Sequence, residues 1–179
     1  MPGYVTADLL CFCHQLKNNE QSSPHHHVSQ TYGAKVQFSE LEDDTPLLPE
    51  EHIKFIQQVV GIFLYYAIAI DNTVLVALSN IGSRATSKTM DEVQQILDCL
   101  ASNTNATIRF HASGIILFIH SDASYMSVTK TRIRASGVCF LSYPKPDSIT
   151  ISEYKPILNG FISITCKILR NIMASAAEA

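Results

Sequence analysis

Charged residues are scarce in this chain of 179 residues. They make up 16% of the sequence, against about a quarter in ordinary soluble domains. The formal net charge is -3, so the chain has no overall excess of positive charge with which to hold a polyanion. This composition argues against an autonomous nucleic-acid-binding protein and indicates a surface poor in charge.

The chain also lacks the sequence features of membrane and secreted proteins. Its longest apolar stretch, residues 59–70, is interrupted by Gly61 and stopped by Asp71, whereas a membrane span needs about 18 or more apolar residues. The five cysteines are odd in number and widely spread, and no signal peptide precedes them, which argues against a disulfide framework. We therefore expect a buried helix without a membrane partner, and an intracellular, cytoplasmic location.

Apolar residues recur at helical spacing in the middle of the chain. Pro49 and the two glutamates after it are typical of a first helical turn, where proline leaves no N–H unpaired and carboxylates face the positive end of the helix dipole. A stripe at spacings of three and four follows to about residue 69, and we expect a second helix over residues 73–81. Thr89 and Glu92 match a capping box, which predicts a third helix from Thr89 to about residue 103.

The period changes after residue 105. Short branched apolar runs at residues 107–110 and 115–121 predict a hairpin, and further strands are expected at 134–142 and 160–167. The expected fold class is α+β, with antiparallel strands following the helices. We predict an irregular arm over residues 1–48, a helical segment over 49–105 and a sheet domain over 106–179.

Two acidic residues could take part in metal chemistry. Asp122 follows an apolar strand that we expect to be buried, and Glu178 lies in a segment of small residues that favours helix. Hard oxygen ligands from a strand and a helix suit Mg²⁺, and paired metal ions activate water in phosphodiester cleavage. In the simpler interpretation, which is the more frequent on spacing alone, Asp122 caps a turn and Glu178 is solvated.

Two further clusters have a functional and a plain interpretation. Cys11, Cys13 and His14, with the three histidines at residues 25–27, offer zinc ligands, but neither a Cys-x-x-Cys pair nor a second matched pair is present. The basic cluster that contains Lys130, Arg132 and Arg134 either contacts phosphates or forms a solvated loop. The first cluster argues only weakly for zinc, and the second is the one evident attraction for nucleic acid.

Six short motifs occur in a fixed order along the chain: MPGYV at residues 1–5, YGAK at 32–35, IQQVVG at 56–61, LYYA at 64–67, HSDASY at 120–125 and MASAAEA at 173–179. In order and spacing they resemble the segment that follows the polymerase palm in copia-type retrotransposon polyproteins. In that family the reverse transcriptase continues through a connection segment into a ribonuclease H-like domain, which cleaves the RNA strand of RNA-DNA hybrids.

The resemblance implies a set of site residues and partners. Asp122 matches the first-strand aspartate and Glu178 the first-helix glutamate, both catalytic and both ligands of Mg²⁺ or Mn²⁺. Beside them, Ser124, Lys130, Arg132 and Arg134 are the expected nucleic-acid contacts. The expected partners are an RNA-DNA hybrid and the remainder of the reverse transcriptase, in the cytoplasm, a virus-like particle or the nucleus, with no membrane and no small-molecule cofactor.

The chain departs from the family pattern at several points. Ile68 stands where the family has arginine, Ser136 and Gly137 stand where it has two glycines, and the later aspartates of the family site have no counterpart. We therefore expect little or no nuclease activity from the chain alone, as in a decayed copy. The alternative is a non-catalytic connector or interaction domain, in which the helices form the working surface and Asp122 is incidental.

Overall fold

The computed structural model describes residues 2–15, 20–26, 45–82, 86–128 and 132–169, with the backbone alone for residues 124–128 and Arg132. The chain divides into two compact units, Met1–Ala106 and Thr107–Ala179. In the described parts of the chain, the first unit contains helices and the second a three-stranded antiparallel sheet. The fold class is therefore α+β, as expected. Within residues 1–48, where an irregular arm was expected, residues 4–11 are helical.

The helical unit has four α-helices among its described residues, with a short 3-10 turn before the third. They are α1 (Tyr4–Cys11), α2 (Glu50–Ala69), α3 (Leu75–Ile81) and α4 (Ser87–Ser102), and the turn is Asn72–Val74. The predicted start of α2 is confirmed, since Pro49 is its N-cap. The second predicted helix is present as the 3-10 turn followed by α3.

The core of the helical unit is built around α2. Phe63 and Tyr66 are 0% and 2% exposed, and Tyr4 of α1 stacks on Tyr66 with ring centroids 5.9 Å apart. Among the described residues, α2 is the one helix whose length and composition would allow it to cross a membrane. Its inner face packs in this core, while Tyr65 and Ile68 on its outer face remain exposed.

Helix α4 begins earlier than predicted. Thr86 is its N-cap; the Thr86 N–H donates to Thr89 Oγ1 at 3.3 Å, and the two hydroxyl oxygens lie 3.2 Å apart. The prediction that Thr89 caps the helix and pairs with Glu92 was wrong, because Thr89 is already inside the helix and buried. Thr86, three residues before Thr89, instead caps the free N–H groups at the start of α4. The predicted end near Asn103 is confirmed.

The described residues of the sheet unit include three strands, β1 (Ile116–Val128), β2 (Arg132–Ser142) and β3 (Phe161–Ile168), in the order β1-β2-β3. Both pairs are antiparallel, with Phe118 opposite Phe140 and Val138 opposite Ile164. The strands predicted at 134–142 and 160–167 are confirmed. Because alternate residues of a strand point to opposite faces, Phe118, His120 and Asp122 share one face of β1.

The hairpin predicted over residues 107–121 was wrong, since β1 pairs with β2 and residues 107–110 form no strand. The side chain of Asn159 takes the place of a strand partner there. Its Oδ1 accepts from the His111 N–H at 2.8 Å, and its Nδ2 donates to the carbonyls of His111 and Leu141, each at 3.0 Å. Ile115 follows with a left-handed φ of 58°, which is strained for a branched residue and breaks the extended run before β1.

The two faces of the sheet differ in burial. On one face Phe118 stacks on Phe140 at 5.9 Å, and the Tyr154 ring lies 5.9 Å from Phe118. Phe140 is 2% exposed there. On the opposite face Leu117 and Ile119 are 53% and 62% exposed. The core of the sheet unit therefore lies on the aromatic face.

Candidate metal and nucleic-acid site

Asp122 lies within β1, not at its end, and it is exposed. Its Cα partner on β2 is Ser136, whose hydroxyl donates to the Asp122 backbone carbonyl at 3.4 Å. The prediction of a carboxylate at the end of a buried strand was wrong on both points. The strand continues beyond Asp122 because β2 supplies partners as far as Val128, and the apolar residues Leu117 and Ile119 before it are exposed.

The surroundings of Asp122 change along the strand from aromatic to polar. His120 shares its face of β1, and the His120 ring meets Phe140 edge-on with centroids 5.3 Å apart. Beyond Asp122 on this face come Ser136 opposite and Arg134 diagonally opposite. Diagonal neighbours on an antiparallel pair lie roughly 7–8 Å apart, within reach of a long side chain. The face around Asp122 thus combines an imidazole, a hydroxyl and a guanidinium.

The fit to Mg²⁺ depends on how many oxygen ligands converge. Mg²⁺ prefers about six oxygen ligands in an octahedron and usually keeps several waters beside one or two carboxylates. No group of three or more His, Cys, Asp or Glu residues suited to a metal ion occurs among the described residues. Around Asp122 the described residues supply one carboxylate, which by itself does not complete a Mg²⁺ site. Glu178 lies outside the described residues, so its approach to Asp122 stays a prediction.

Of the four residues assigned to nucleic acid, the described part of the chain includes one side chain. Arg134 is half-buried, and its Nη1 donates to Cys166 Sγ on β3 at 3.8 Å. Ser124 and Arg132 lie in β1 and β2, but their side chains are not described, and Lys130 lies outside the described residues. Arg134 is therefore the cation that the described structure places on the face of Asp122.

The members of the cysteine and histidine cluster lie in different environments. Cys11 and Cys13 are exposed, whereas the His14 side chain is 5% exposed and its Nε2 lies 3.0 Å from Asp98 Oδ1 on α4. Gln94 Nε2 lies 3.3 Å from His14 Nδ1 and donates to Asp98 Oδ1 at 3.2 Å. His14 thus holds the segment after α1 against α4. His25 and His26 are exposed, and His27 lies outside the described residues.

The contact between His14, Gln94 and Asp98 was not predicted from the sequence. A signal for it exists, since Asp98 lies between Leu97 and Cys99 on the apolar face of α4, and Gln94 lies four residues before it. A carboxylate on such a face needs a polar partner. The partner's position in the N-terminal segment, by contrast, depends on the tertiary fold.

A cleft of about 510 Å³ lies in the helical unit, with Asp71, Cys99 and Asn103 in its lining. Asp71 Oδ1 accepts hydrogen bonds from the backbone N–H and the hydroxyl of Thr73 at 3.1 and 2.6 Å. Burial raises the pKa of the Cys99 thiol above its ordinary value, and the Asp71 carboxylate raises it further. Since the thiolate is the nucleophilic form, this cleft offers no activated nucleophile at Cys99.

Asp122 therefore remains the acidic residue whose neighbours best suit phosphate chemistry, because a cation and a hydroxyl share its face. The structure brings Asp122 and Arg134 to neighbouring strands and leaves the other assigned side chains undescribed. Compared with models of known families, with curated proteins and with solved structures, the chain matches none of them.

Proposed function

We propose that the chain is part of the reverse transcriptase and ribonuclease H polyprotein of a copia-type retrotransposon, and that Asp122 is a ligand of its catalytic Mg²⁺. The observation that carries the proposal is an exposed aspartate within the first of three consecutive antiparallel strands. The motif HSDASY at residues 120–125 led us to expect an aspartate on the first strand of a ribonuclease H-like sheet. The position of Asp122 within β1 supports the proposal.

The lack of contacts to the Asp122 carboxylate supports a role other than a structural one. The Asp71 carboxylate caps a turn and the Asp98 carboxylate contacts His14. Among the described residues, no hydrogen bond or ion pair to the Asp122 carboxylate is formed. An exposed carboxylate that stabilises nothing around it is accessible to a hydrated cation and to a phosphodiester.

In this proposal the sheet is the opening part of a ribonuclease H-like domain, and the helical unit is the connection from the polymerase. Asp122 holds and orients the cation, while Arg134 and the basic residues near it attract the phosphates of the hybrid. The bound Mg²⁺ would supply the activation of water and the neutralisation of the leaving oxygen. The proposed location is cytoplasmic, with assembly in a virus-like particle or transport to the nucleus.

Metal binding is tested by titrating the ¹⁵N-labelled chain with Mn²⁺ and following the loss of amide NMR signals. We expect the signals around Asp122 on β1 and Ser136 on β2 to broaden first. The Asp122→Asn variant should lose this preference, whereas Asp147→Asn, at an exposed carboxylate in the loop before β3, should keep it. Equal broadening around β1 in Asp122→Asn and the parent would overturn the assignment of Asp122 as a ligand.

The polyprotein context is tested separately from the metal site. Sequencing the genomic reading frame and its transcript should reveal polymerase palm motifs upstream and further acidic motifs downstream in the same frame. An isolated frame without either set of motifs would exclude the polyprotein proposal.

A second candidate function is a non-catalytic connector or interaction domain. It is favoured by the outer face of α2, where Tyr65 is 59% and Ile68 46% exposed, on a chain with few charges. Titration with an RNA-DNA hybrid distinguishes the two functions. Shifts of amide signals on β1 and β2 would support the nuclease proposal, and shifts confined to the helical unit would support the connector.

A further inference from the structure

Strand β1 has one edge that no described strand covers. The sheet order is β1-β2-β3, so β1 pairs with β2 on one side only. Four consecutive side chains of β1, from Ile119 to Asp122, are exposed although they alternate between the two faces. An edge of this kind presents a row of unpaired N–H and C=O groups, which is a template for pairing with another strand.

The residues along this edge are complementary to themselves. In a two-fold symmetric antiparallel pair centred on Ser121, His120 of each copy lies directly opposite Asp122 of the other. Directly opposite residues have Cβ atoms about 4.5–5.5 Å apart, so each imidazole can donate to the facing carboxylate. The contact occurs twice because the interface is isologous.

Neighbouring registers lack this complementarity. A pair centred on His120 would place the Asp122 carboxylate opposite Phe118, and a pair centred on Asp122 would place the two carboxylates opposite each other. Centring on Ser121 also sets Ile119, which is 62% exposed, opposite the small Ala123. One register therefore satisfies the charged, polar and apolar positions together.

We propose that two copies of this chain associate through their β1 edges in the register centred on Ser121, so that the two sheets continue as one antiparallel sheet of six strands. The proposal depends on the edge and its charges and not on the proposed nuclease function. It makes Asp122 a contact of the interface in the absence of metal.

The register is tested by disulfide cross-linking of the full chain in a background that carries Cys11→Ser, Cys13→Ser and Cys139→Ser. Cys139 is replaced because it lies directly opposite Ile119 on β2 and would capture a thiol introduced at that position. Ser121→Cys should give a cross-linked dimer on mild oxidation, since the two introduced thiols lie opposite each other. Ile119→Cys is the matched control, because its two copies are offset by four residues, roughly 13 Å along the strands. Equal dimer yields from both variants, or no dimer from Ser121→Cys, would overturn the register.

The charge pairing is tested by sedimentation equilibrium in EDTA, which keeps the result independent of metal binding. His120→Asp places two carboxylates opposite each other at two positions and should raise the dimer Kd by roughly tenfold or more. The double variant His120→Asp with Asp122→His restores the pairs and should return the Kd close to the parent value. Its failure to do so, in a protein with a parent-like circular dichroism spectrum, would contradict the proposal. His111→Asp, at an exposed site outside the edge, should leave the Kd unchanged.

Discussion

His14 is the residue through which the N-terminal segment is held by α4. Its imidazole and the Asp98 carboxylate are both nearly inaccessible, with side-chain exposures of 5% and 7% and a separation of 3.0 Å. Removing one partner of a buried polar pair leaves the other with an unrecovered desolvation cost. The pair therefore links α1 to the helical core more specifically than apolar contact alone.

We expect His14→Ala to lower the free energy of unfolding by about 1–3 kcal/mol. The measurement is urea denaturation followed by circular dichroism of the helices. His26→Ala serves as the control because His26 is exposed, and it should change stability little. Equal effects of the two substitutions would show that the buried contact contributes no stability.

Asp8 on α1 is a second residue whose environment opposes its charge. Burial raises the pKa of its carboxyl above the ordinary 3.8, and its Oδ2 is buried without a hydrogen-bond partner among the described residues. A raised folded-state pKa favours the protonated form in the folded protein. The stability associated with that proton is fully present below the ordinary pKa and is lost as the pH rises through the folded-state value.

We therefore expect Asp8→Asn to stabilise the chain at pH 7 and to give no comparable gain at pH 3, where the parent carboxyl is protonated as well. Thermal unfolding at both pH values measures the difference. A gain of equal size at both pH values would assign the effect to packing and not to ionisation. The variant should also lower the pKa of Tyr4, since the Asp8 carboxylate adds to the burial that raises it.

At the scale of elements, Gly160 controls how the segment before β1 packs on the start of β3. A Cβ at this position would lie 2.7 Å from both Ile108 Cγ2 and Phe110 Cδ1. Such a distance forces neighbouring side chains to move, and overpacking of this kind costs about 1–3 kcal/mol. Asn159, the residue before it, makes the hydrogen bonds that replace a strand partner at His111.

We expect Gly160→Ala to speed amide hydrogen exchange in β2 and β3. The free energy of protection of these amides should fall by about 1–3 kcal/mol, which is the cost of overpacking. Gly61→Ala is the matched control: it lies in α2 with nothing within 4 Å of the added Cβ, and helix propensity should give it a gain of about 0.5–1 kcal/mol. A neutral or stabilising effect of Gly160→Ala would show that the segment at 108–110 adjusts freely.

The elements differ in how far local sequence determines them. Pro49 sets the start of α2 through its own backbone chemistry, and the strands β2 and β3 follow from short branched runs, so these were predictable. The start of α4 was misplaced because two threonines, Thr86 and Thr89, offer competing caps at a spacing of three. The false hairpin arose because residues 107–110 have strand composition, while their partner is the distant Asn159 side chain.

The candidate site was predictable only in part, because local sequence determines some of its features and the tertiary fold determines the others. The identity of Asp122 and its place on a strand follow from a local motif, but its exposure depends on what covers the sheet. The apolar run before Asp122 predicted burial, yet Ile119 is 62% exposed. The pairing of His14 with Asp98 spans most of the helical unit and leaves no local pattern in the N-terminal segment.

At the scale of the whole molecule, the proposed function predicts little catalysis by the chain alone. A two-metal site must bind two cations, and the proposal assigns it two carboxylate ligands, Asp122 and Glu178. The formal net charge of -3 also repels a polyanionic substrate. These two deficits should weaken metal binding and substrate binding independently.

We expect the purified chain with Mg²⁺ or Mn²⁺ to cleave the RNA of a labelled RNA-DNA hybrid no faster than its Asp122→Asn variant. Gel analysis of the labelled strand measures the rate. Robust cleavage by the parent that disappears in the variant would show that two carboxylates suffice. It would then identify the isolated chain as a nuclease.

The apolar length of α2 has a consequence during synthesis of the chain. On the ribosome α2 emerges before α3 and α4, the two later helices that contact it in the folded unit. At about 5–20 residues per second, the nascent chain exposes an apolar 20-residue helix for a few seconds. During that interval the nascent chain exposes a long apolar segment. Chaperones and the membrane-targeting machinery both recognise segments of this kind. Packing of α3 and α4 against α2 therefore shortens the time for which the apolar surface of α2 can be recognised.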